Sequence, residues 1–129
     1  MKRNELTVEI DCPVQEVFEF TINPANTPKW IIGIVKEETS QWPIRIGTVY
    51  KNVDNLGNWN EYKVTKLKVN SFFELMQKDG NYFVRYVYTP LSESKTHLKY
   101  IEWVKQGEIS NPFTQEILNK LKFVIEAKK

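Results

Sequence analysis

DCPVQEVFEFTINPANTPKW, residues 11–30, joins a short amphipathic segment to a turn that is rich in asparagine and proline and ends in tryptophan. Pro13 suits the start of a helix, because its missing N–H would have no intrahelical partner there. Apolar side chains then recur at helical spacing, which predicts a helix with one buried face. Pro24 and Pro28 prevent that helix from continuing. The stretch therefore predicts a helix followed by a tight clasp that ends at Trp30.

Alternating apolar and polar residues predict strands on both sides of this stretch. Residues 5–10 form the strand before it, and residues 47–53 open the sheet again after it. Residues 54–58, Asp-Asn-Leu-Gly-Asn, are typical of a hairpin loop, because these residue types tolerate positive φ. The later predicted strands are residues 59–69, 72–77, 82–89 and 95–105, with Pro90 ending the third of the four.

Side-chain parity predicts which face of these strands is buried. The apolar face of residues 59–69 switches parity along the strand, so we expect a β-bulge near Thr65 or Lys66. In residues 82–89, Tyr82, Val84, Tyr86 and Tyr88 share one face of the strand, and we expect the tyrosines to point inward.

The last predicted element is a helix near the C-terminus. Ser110 or Asn111 can cap it, and Pro112 fits its first turn. Strands with helices only near the two ends of the chain indicate an α+β domain with an antiparallel sheet. The apolar stripe of this helix consists of Phe113, Ile117, Leu118, Leu121, Val124 and Ile125.

Composition excludes several classes of partner. The 129 residues fit one domain, residues 1–129, and the formal net charge of +2 comes without a basic run, so nucleic acid is not an expected partner. A single cysteine, Cys12, excludes an internal disulfide and a cysteine-rich metal site. The sequence also has no metal-ligand cluster and no cofactor-binding loop, so neither a metal nor a cofactor is expected. No apolar run is long enough for a membrane span and no signal peptide is recognisable, so the expected location is the cytoplasm.

The order of these elements resembles the START-like superfamily, also called the SRPBCC or polyketide cyclase/dehydrase group. The resemblance covers nearly the whole chain, although residues 68–70 stand where the family often has a proline turn. It implies a helix-grip fold: a curved antiparallel sheet wrapped around a long C-terminal helix, with two short helices after the first strand. The stretches that carry it are Pro28-x-Trp30, Gly47-Thr48, Val64-Thr65-x-Leu67 and Thr96-x-Leu98-x-Tyr100.

The helix-grip architecture implies a hydrophobic cavity between the sheet and the C-terminal helix. The leading hypothesis is that the protein binds a small apolar or aromatic ligand there. Aromatic residues make up 13% of the chain, and several inward tyrosines would need partners for their hydroxyls, which favours a partly wet cavity. The expected ligand-binding residues are Trp30, Tyr50, Trp59, Tyr86, Tyr88, Leu98, Tyr100, Glu102, Ile117 and Leu121.

Few residues offer catalytic chemistry. The chain has no glycine-rich loop before a helix and no Gly-x-Ser-x-Gly elbow, and His97 is expected at the surface. Glu102 shares a strand face with Leu98 and Tyr100, which the resemblance turns toward the cavity. A buried acid there could anchor a ligand or move a proton, and Glu102 is therefore the candidate catalytic residue. If Trp103 points inward instead, Glu102 faces solvent.

Two alternatives to a binding protein stay open. An enzyme resembling polyketide cyclases or dehydrases would use Glu102 or a cavity tyrosine for acid/base catalysis. A protein-interaction module resembling the Hsp90-activator domains would use an exposed apolar patch on the outer face of the sheet. The architecture hosts unrelated functions, so the fold alone does not choose among the three.

Overall fold

The computed structural model describes residues 1–128, which form one seven-stranded antiparallel sheet with short helices after the first strand and a longer helix at the C-terminal end. The sheet is curled into a half-barrel with the strand order β1-β7-β6-β5-β4-β3-β2. The strands are β1 Arg3–Ile10, β2 Ile34–Thr39, β3 Val49–Asp54, β4 Trp59–Lys68, β5 Phe72–Gln77, β6 Tyr82–Ser92 and β7 Lys95–Val104. The helices are α1 Val14–Ile22, α2 Thr27–Trp30 and α3 Gln115–Glu126.

The clasp after β1 forms as the sequence predicts. Pro13 stands directly before α1, and Pro28 lies in the first turn of α2, where the missing N–H of each proline breaks no helical hydrogen bond. A 3₁₀ turn, Pro24–Asn26, separates the two helices, and the side chain of Asn23 caps it by accepting a hydrogen bond from the Ala25 amide at 3.0 Å. Short breaks thus keep α1 and α2 over the same face of the sheet.

The predicted β-bulge and the predicted facing of the tyrosines are both confirmed. Val64 pairs with Leu75 and Lys66 pairs with Glu74, so Thr65 is the extra residue on β4. On β6, Tyr86 and Tyr88 are buried, at 6% and 3% exposure. The bulge changes the parity of β4 so that apolar side chains before and after it both face the core.

Two strand predictions are corrected. Pro90 does not end β6, which continues to Ser92. Pro90 pairs with Thr96 on β7, and the register between the two strands shifts between Pro90 and Ser92. A proline is tolerated at such an irregularity, although it has no N–H to donate. The strand β2 was not predicted. In its sequence, Ile-Val-Lys-Glu-Glu-Thr, apolar and polar residues do not alternate regularly. The structure is irregular at the same place, since the register of β2 against β3 shifts between Ile34 and Lys36.

The C-terminal helix begins later than expected. Thr114 caps α3, its hydroxyl accepting a hydrogen bond from the Ile117 amide at 3.3 Å. Ser110 and Asn111 are therefore not the caps, and Asn111 instead takes a positive φ of 53° in the preceding turn. Phe113 precedes the helix as part of an extended lead-in.

The buried stripe of α3 packs on β1 and α2. Leu118, Leu121 and Ile125 are fully or almost fully buried, whereas Phe123 on the opposite side is 70% exposed. Ile117 and Val124 flank the stripe and are partly buried. The helix therefore covers the β1 edge of the half-barrel, and the other half of the concave face is left to α2 and the segments around it.

Candidate functional site

A cavity of about 130 Å³ lies on the concave face of the sheet, away from α3. We call it the inner cavity. Six strands, β2 to β7, supply most of its wall, and α1, α2, the α2–β2 connection and the lead-in to α3 complete it. The lining residues are Thr21, Thr27, Ile31, Ile34, Glu37, Tyr50, Asn52, Tyr62, Phe73, Leu75, Tyr82, Val84, Tyr86, Tyr100 and Phe113.

Packed aromatic rings form one side of the inner cavity. Phe73 stacks on Tyr86 with ring centroids 4.7 Å apart, and Tyr86 meets Tyr100 edge-on at 5.3 Å. Tyr100 in turn stacks on Phe113 at 4.2 Å. Each ring packs against its neighbour in a stacked or edge-on geometry that aromatic pairs prefer, so aromatic packing defines the shape of this wall.

Glu102 fixes the lead-in to α3 and does not line the cavity. It is fully buried, and its Oε2 accepts hydrogen bonds from the Asn4 side-chain amide at 2.8 Å and from the Phe113 backbone amide at 2.7 Å. The hydroxyl of Tyr82 donates to its other oxygen. Both oxygens are thus engaged by protein donors, so the structure assigns Glu102 a part in holding Phe113 against the rings.

Tyr82 links this buried carboxylate to the inner cavity, since it lines the wall and donates to Glu102. Burial raises the pKa of Tyr82, and the neighbouring Glu102 raises it further. Burial also raises the pKa of Tyr100 well above its usual value. Both hydroxyls therefore stay protonated at neutral pH and act as hydrogen-bond donors.

The polar end of the cavity is built from Glu37 and Asn52 on the paired strands β2 and β3. Glu37 accepts hydrogen bonds from the Thr27 hydroxyl at 2.6 Å and from the Asn52 side-chain amide at 3.0 Å. Burial raises the pKa of the Glu37 carboxyl, although these two hydrogen bonds act in the opposite direction. The other side-chain atom of Asn52, Oδ1, is buried and has no hydrogen-bond partner within residues 1–128.

The negative charge of Glu37 affects the pKa of two tyrosines in the cavity wall, Tyr50 and Tyr62. Burial first, and the Glu37 charge second, raise the pKa of Tyr62 to about 12. The same two causes raise the pKa of Tyr50, whose hydroxyl donates to the Ile22 carbonyl at 2.6 Å. When ionised, Glu37 places a negative charge at this end of the cavity. No ion pair in the described part of the chain involves Glu37.

The structure brings three of the ten predicted ligand-binding residues to the cavity wall: Tyr50, Tyr86 and Tyr100. Trp30 lies behind the wall, 2% exposed, with its ring edge-on to Tyr86 at 6.4 Å and to Phe113 at 6.0 Å. Its indole N–H has no hydrogen-bond partner among the described residues. Trp30 therefore supports two wall rings without lining the cavity.

The other predicted residues lie elsewhere. Tyr88 packs on Phe18 and its hydroxyl pairs with Thr21, so it contacts a lining residue without lining the cavity itself. Trp59 is 55% exposed at the start of β4 and borders a surface depression. Leu98, Ile117 and Leu121 belong to the core beside α3, because α3 covers the β1 edge and not the inner cavity.

Some of the missed residues had a visible signal in the sequence. Asn52 is two positions after Tyr50 and therefore shares its face of β3. Tyr62 and Tyr82 have the inward parity of their strands. Glu37 had no such signal, because the strand that carries it was not predicted and its neighbours, Lys36 and Glu38, are charged as on a solvated face.

Other depressions lie at the surface. One, of about 400 Å³, separates α1 from the end of α3 and is lined by residues such as Glu16, Phe20 and Lys128. Another, of about 680 Å³, lies beside β1 and contains His97. In neither does the structure show a buried polar atom without a partner, in contrast to Asn52 in the inner cavity.

The outer face of the sheet carries an aromatic pair under charged groups. Phe83 and Trp103 stack with ring centroids 5.2 Å apart, and the guanidinium of Arg85 lies 5.4 Å from the Trp103 ring. Arg85 is also paired with the buried Glu74 at 2.6 Å. Trp103 thus points outward, and Glu102, the residue before it, points inward. Because the charged Arg85 lies over the Trp103 ring, this surface does not support an apolar docking patch.

Comparison with known structures identifies the fold. A START superfamily protein from Mycobacterium smegmatis superposes with a TM-score of 0.75 at 13% sequence identity over all of both chains. The chain has the START-like helix-grip fold. Norcoclaurine synthase from Thalictrum flavum has a TM-score of 0.71 at 13% identity, covering 99% of this chain and 88% of that one. The di-domain ARO/CYC protein BexL has a TM-score of 0.67 at 12% identity, covering 81% and 36%.

These likenesses are structural. No protein-family model matches this chain, and no curated protein matches its sequence. Among residues 1–128, no helix has the length and apolar character that crossing a membrane requires, and no three His, Cys, Asp or Glu side chains come together as a metal site.

Proposed function

We propose that the protein binds a small apolar or aromatic molecule in the inner cavity, and that residues 1–129 act as one ligand-binding domain. The observation that carries the proposal is the Asn52 Oδ1 atom, a buried acceptor without a partner in a wall that is otherwise mostly aromatic and aliphatic. Buried polar atoms in folded proteins almost always have a hydrogen-bond partner. A bound molecule supplies that partner.

The volume limits the size of the ligand. An apolar cavity of roughly 150 Å³ binds benzene, so a cavity of about 130 Å³ limits the ligand to about one six-membered ring. The rings of Phe73, Tyr86 and Tyr100 give such a molecule an aromatic wall, in which Phe73 stacks on Tyr86 and Tyr86 meets Tyr100 edge-on. Norcoclaurine synthase, which shares the fold, has been solved with dopamine and hydroxybenzaldehyde, and this supports small aromatic ligands for the architecture.

Native mass spectrometry of protein purified from its own host tests the proposal. We expect a retained small molecule that disappears in Leu75→Phe, because the larger ring fills the cavity that Leu75 lines. Met76→Phe is the matched control, since Met76 is the next residue and therefore points to the other face of β5. Protein that retains nothing and takes up no single-ring compound would contradict the proposal, and so would equal binding by the two variants.

An enzyme resembling polyketide cyclases or dehydrases is the second candidate. It is favoured by the Tyr82 hydroxyl, which lines the cavity and is hydrogen-bonded to the buried carboxylate of Glu102. Such a pair can remove a proton from a bound molecule, because the Tyr82 oxygen can accept that proton while its own proton moves to the Glu102 carboxylate. The retained molecule distinguishes the candidates: a binding protein returns it unchanged, whereas an enzyme converts it and Tyr82→Phe slows the conversion while leaving binding in place.

A further inference from the structure

We propose that the natural ligand of the inner cavity is a single-ring molecule with a protonated amine, and that the ammonium group binds at Glu37 and Asn52. The inference rests on the proposed function and names the class of ligand. It is carried by the donors and acceptors that the cavity wall presents and by the absence of a counter-charge within residues 1–128.

Glu37 presents unused acceptor capacity. Its two oxygens accept one hydrogen bond each, from Thr27 and Asn52, whereas an ionised carboxylate can accept about four. The basic side chains nearest in sequence are committed elsewhere: Lys29 donates to Asn26 at 2.8 Å, and Lys36 pairs with Glu38 at 3.9 Å. The described chain therefore gives Glu37 hydrogen bonds but no cation.

Asn52 presents an acceptor with a fixed direction. Its amide nitrogen donates to Glu37, so the amide oxygen is the atom left without a partner. Asn52 is 7% exposed, which means that bulk water does not satisfy that oxygen. Glu37 and Asn52 together thus offer acceptors only, and the complementary ligand group must be a donor.

The Glu37 carboxylate favours a positive charge on that donor, because no ion pair of the described residues neutralises it. A neutral hydroxyl donates a single hydrogen bond and leaves Glu37 without a counter-charge. An ammonium group donates three and neutralises the carboxylate, so we expect it to bind more tightly than the hydroxyl.

Titrations with four one-ring probes test the inference by calorimetry at neutral pH. Benzylamine is protonated there, benzyl alcohol is a neutral donor, toluene has neither donor nor charge, and benzoate is an anion. We expect benzylamine to bind about tenfold or more tightly than toluene, because charged hydrogen bonds contribute more than neutral ones. Benzyl alcohol should lie between them, and benzoate should not bind.

Substitutions then locate the binding group. Glu37→Gln keeps the shape of the side chain and removes its charge, so it should weaken benzylamine about tenfold and leave toluene unchanged. Asn52→Ala removes the unpaired oxygen and should weaken both benzylamine and benzyl alcohol. Glu38→Gln is the matched control, because Glu38 is the next residue on β2 and is exposed, and it should change nothing.

The outcomes separate the inference from the proposed function. If toluene binds as tightly as benzylamine, or if the Glu37 and Asn52 variants bind benzylamine like the wild type, the cavity binds ligands but the inference that the ligand carries an ammonium group at Glu37 and Asn52 is wrong. If none of the four probes binds to the folded wild type, the proposed function itself fails. Should one of the two variants fail to fold, the other and the probe order in the wild type still decide.

Discussion

Asn52 and Glu37 form a pair whose energetics depend on pH. Because burial raises the pKa of Glu37 in the folded protein, folding favours the protonated carboxyl. The stability that this contributes is fully present below the unfolded pKa, about 4.3, and is lost as the pH rises through the folded value. The charge on Glu37 thus destabilises the protein without ligand at neutral pH.

Glu37→Gln tests this effect, because glutamine cannot ionise. We expect the free energy of unfolding of the wild type, relative to that of Glu37→Gln, to fall as the pH is raised from about 4 to about 7. Urea denaturation at a series of pH values measures the difference, with Glu38→Gln as the control. A difference that is constant across this range would show that folding does not shift the pKa of Glu37, and one that rises would show that folding lowers it; either result contradicts the prediction.

Trp30 reports on the cavity because it contacts two wall rings, Tyr86 and Phe113. In a variant with phenylalanine at the other three tryptophans, we expect Trp30 to emit at the short wavelengths of a buried indole and to respond to benzylamine. A variant that keeps Trp59 alone should emit as an exposed indole and stay unchanged, since Trp59 is 55% exposed. Water-like emission from Trp30 that ignores every ligand would reject its placement.

Glu102 is expected to stabilise the fold through the lead-in to α3. Glu102→Gln keeps the shape but turns an acceptor into a donor that faces Asn4, Tyr82 and the Phe113 amide. We expect a loss of about 1–3 kcal/mol in the free energy of unfolding, the typical penalty for a buried group left unsatisfied. Glu5→Gln on exposed β1 is the control, because its surface ion pair with Arg3 contributes little. Equal stabilities would remove Glu102 from this role.

At the scale of elements, α3 stabilises the fold through its buried stripe and not through the ligand. Leu121 is fully buried, so Leu121→Ala should lower the free energy of unfolding by about 2–5 kcal/mol. Phe123→Ala on the exposed side should have little effect. Ligand affinity should be the same in both variants at a temperature where both are folded. A loss of affinity in Leu121→Ala alone would place α3 at the site after all.

Strands in which apolar and polar residues alternate regularly could be predicted from the sequence. The strand β2, which carries Glu37, could not. Apolar alternation and hairpin residues are local signals, so β3, β4 and β5 were predicted close to their observed bounds. β2 is an edge strand with a register shift, and the pairing that defines it comes from β3. The cap of α3 was misplaced for a related reason: Ser110 and Asn111 have suitable side chains, but tertiary contacts hold Phe113 extended.

At the scale of the whole molecule, the curvature of the sheet determines where space is left. The helix α3 covers the β1 edge, and the inner cavity on β2 to β7 is closed by α1, α2, the α2–β2 connection and the lead-in to α3. The order of elements indicates an α+β domain, and its resemblance to the START-like group implies a helix-grip fold with a cavity, but the position of α3 depends on long-range packing. The expected site residues on α3, Ile117 and Leu121, lie beside β1 for this reason, whereas Tyr50, Tyr86 and Tyr100 line the inner cavity.

The most direct measurement is an NMR experiment that detects proton–proton contacts between benzylamine and the protein. We expect cross-peaks from the ring protons of benzylamine to the side chains of Phe73, Leu75 and Val84, which line the inner cavity, and their loss in Leu75→Phe. Cross-peaks to the surface depression beside Lys128 and Phe20, or none at all in the folded protein, would contradict the account.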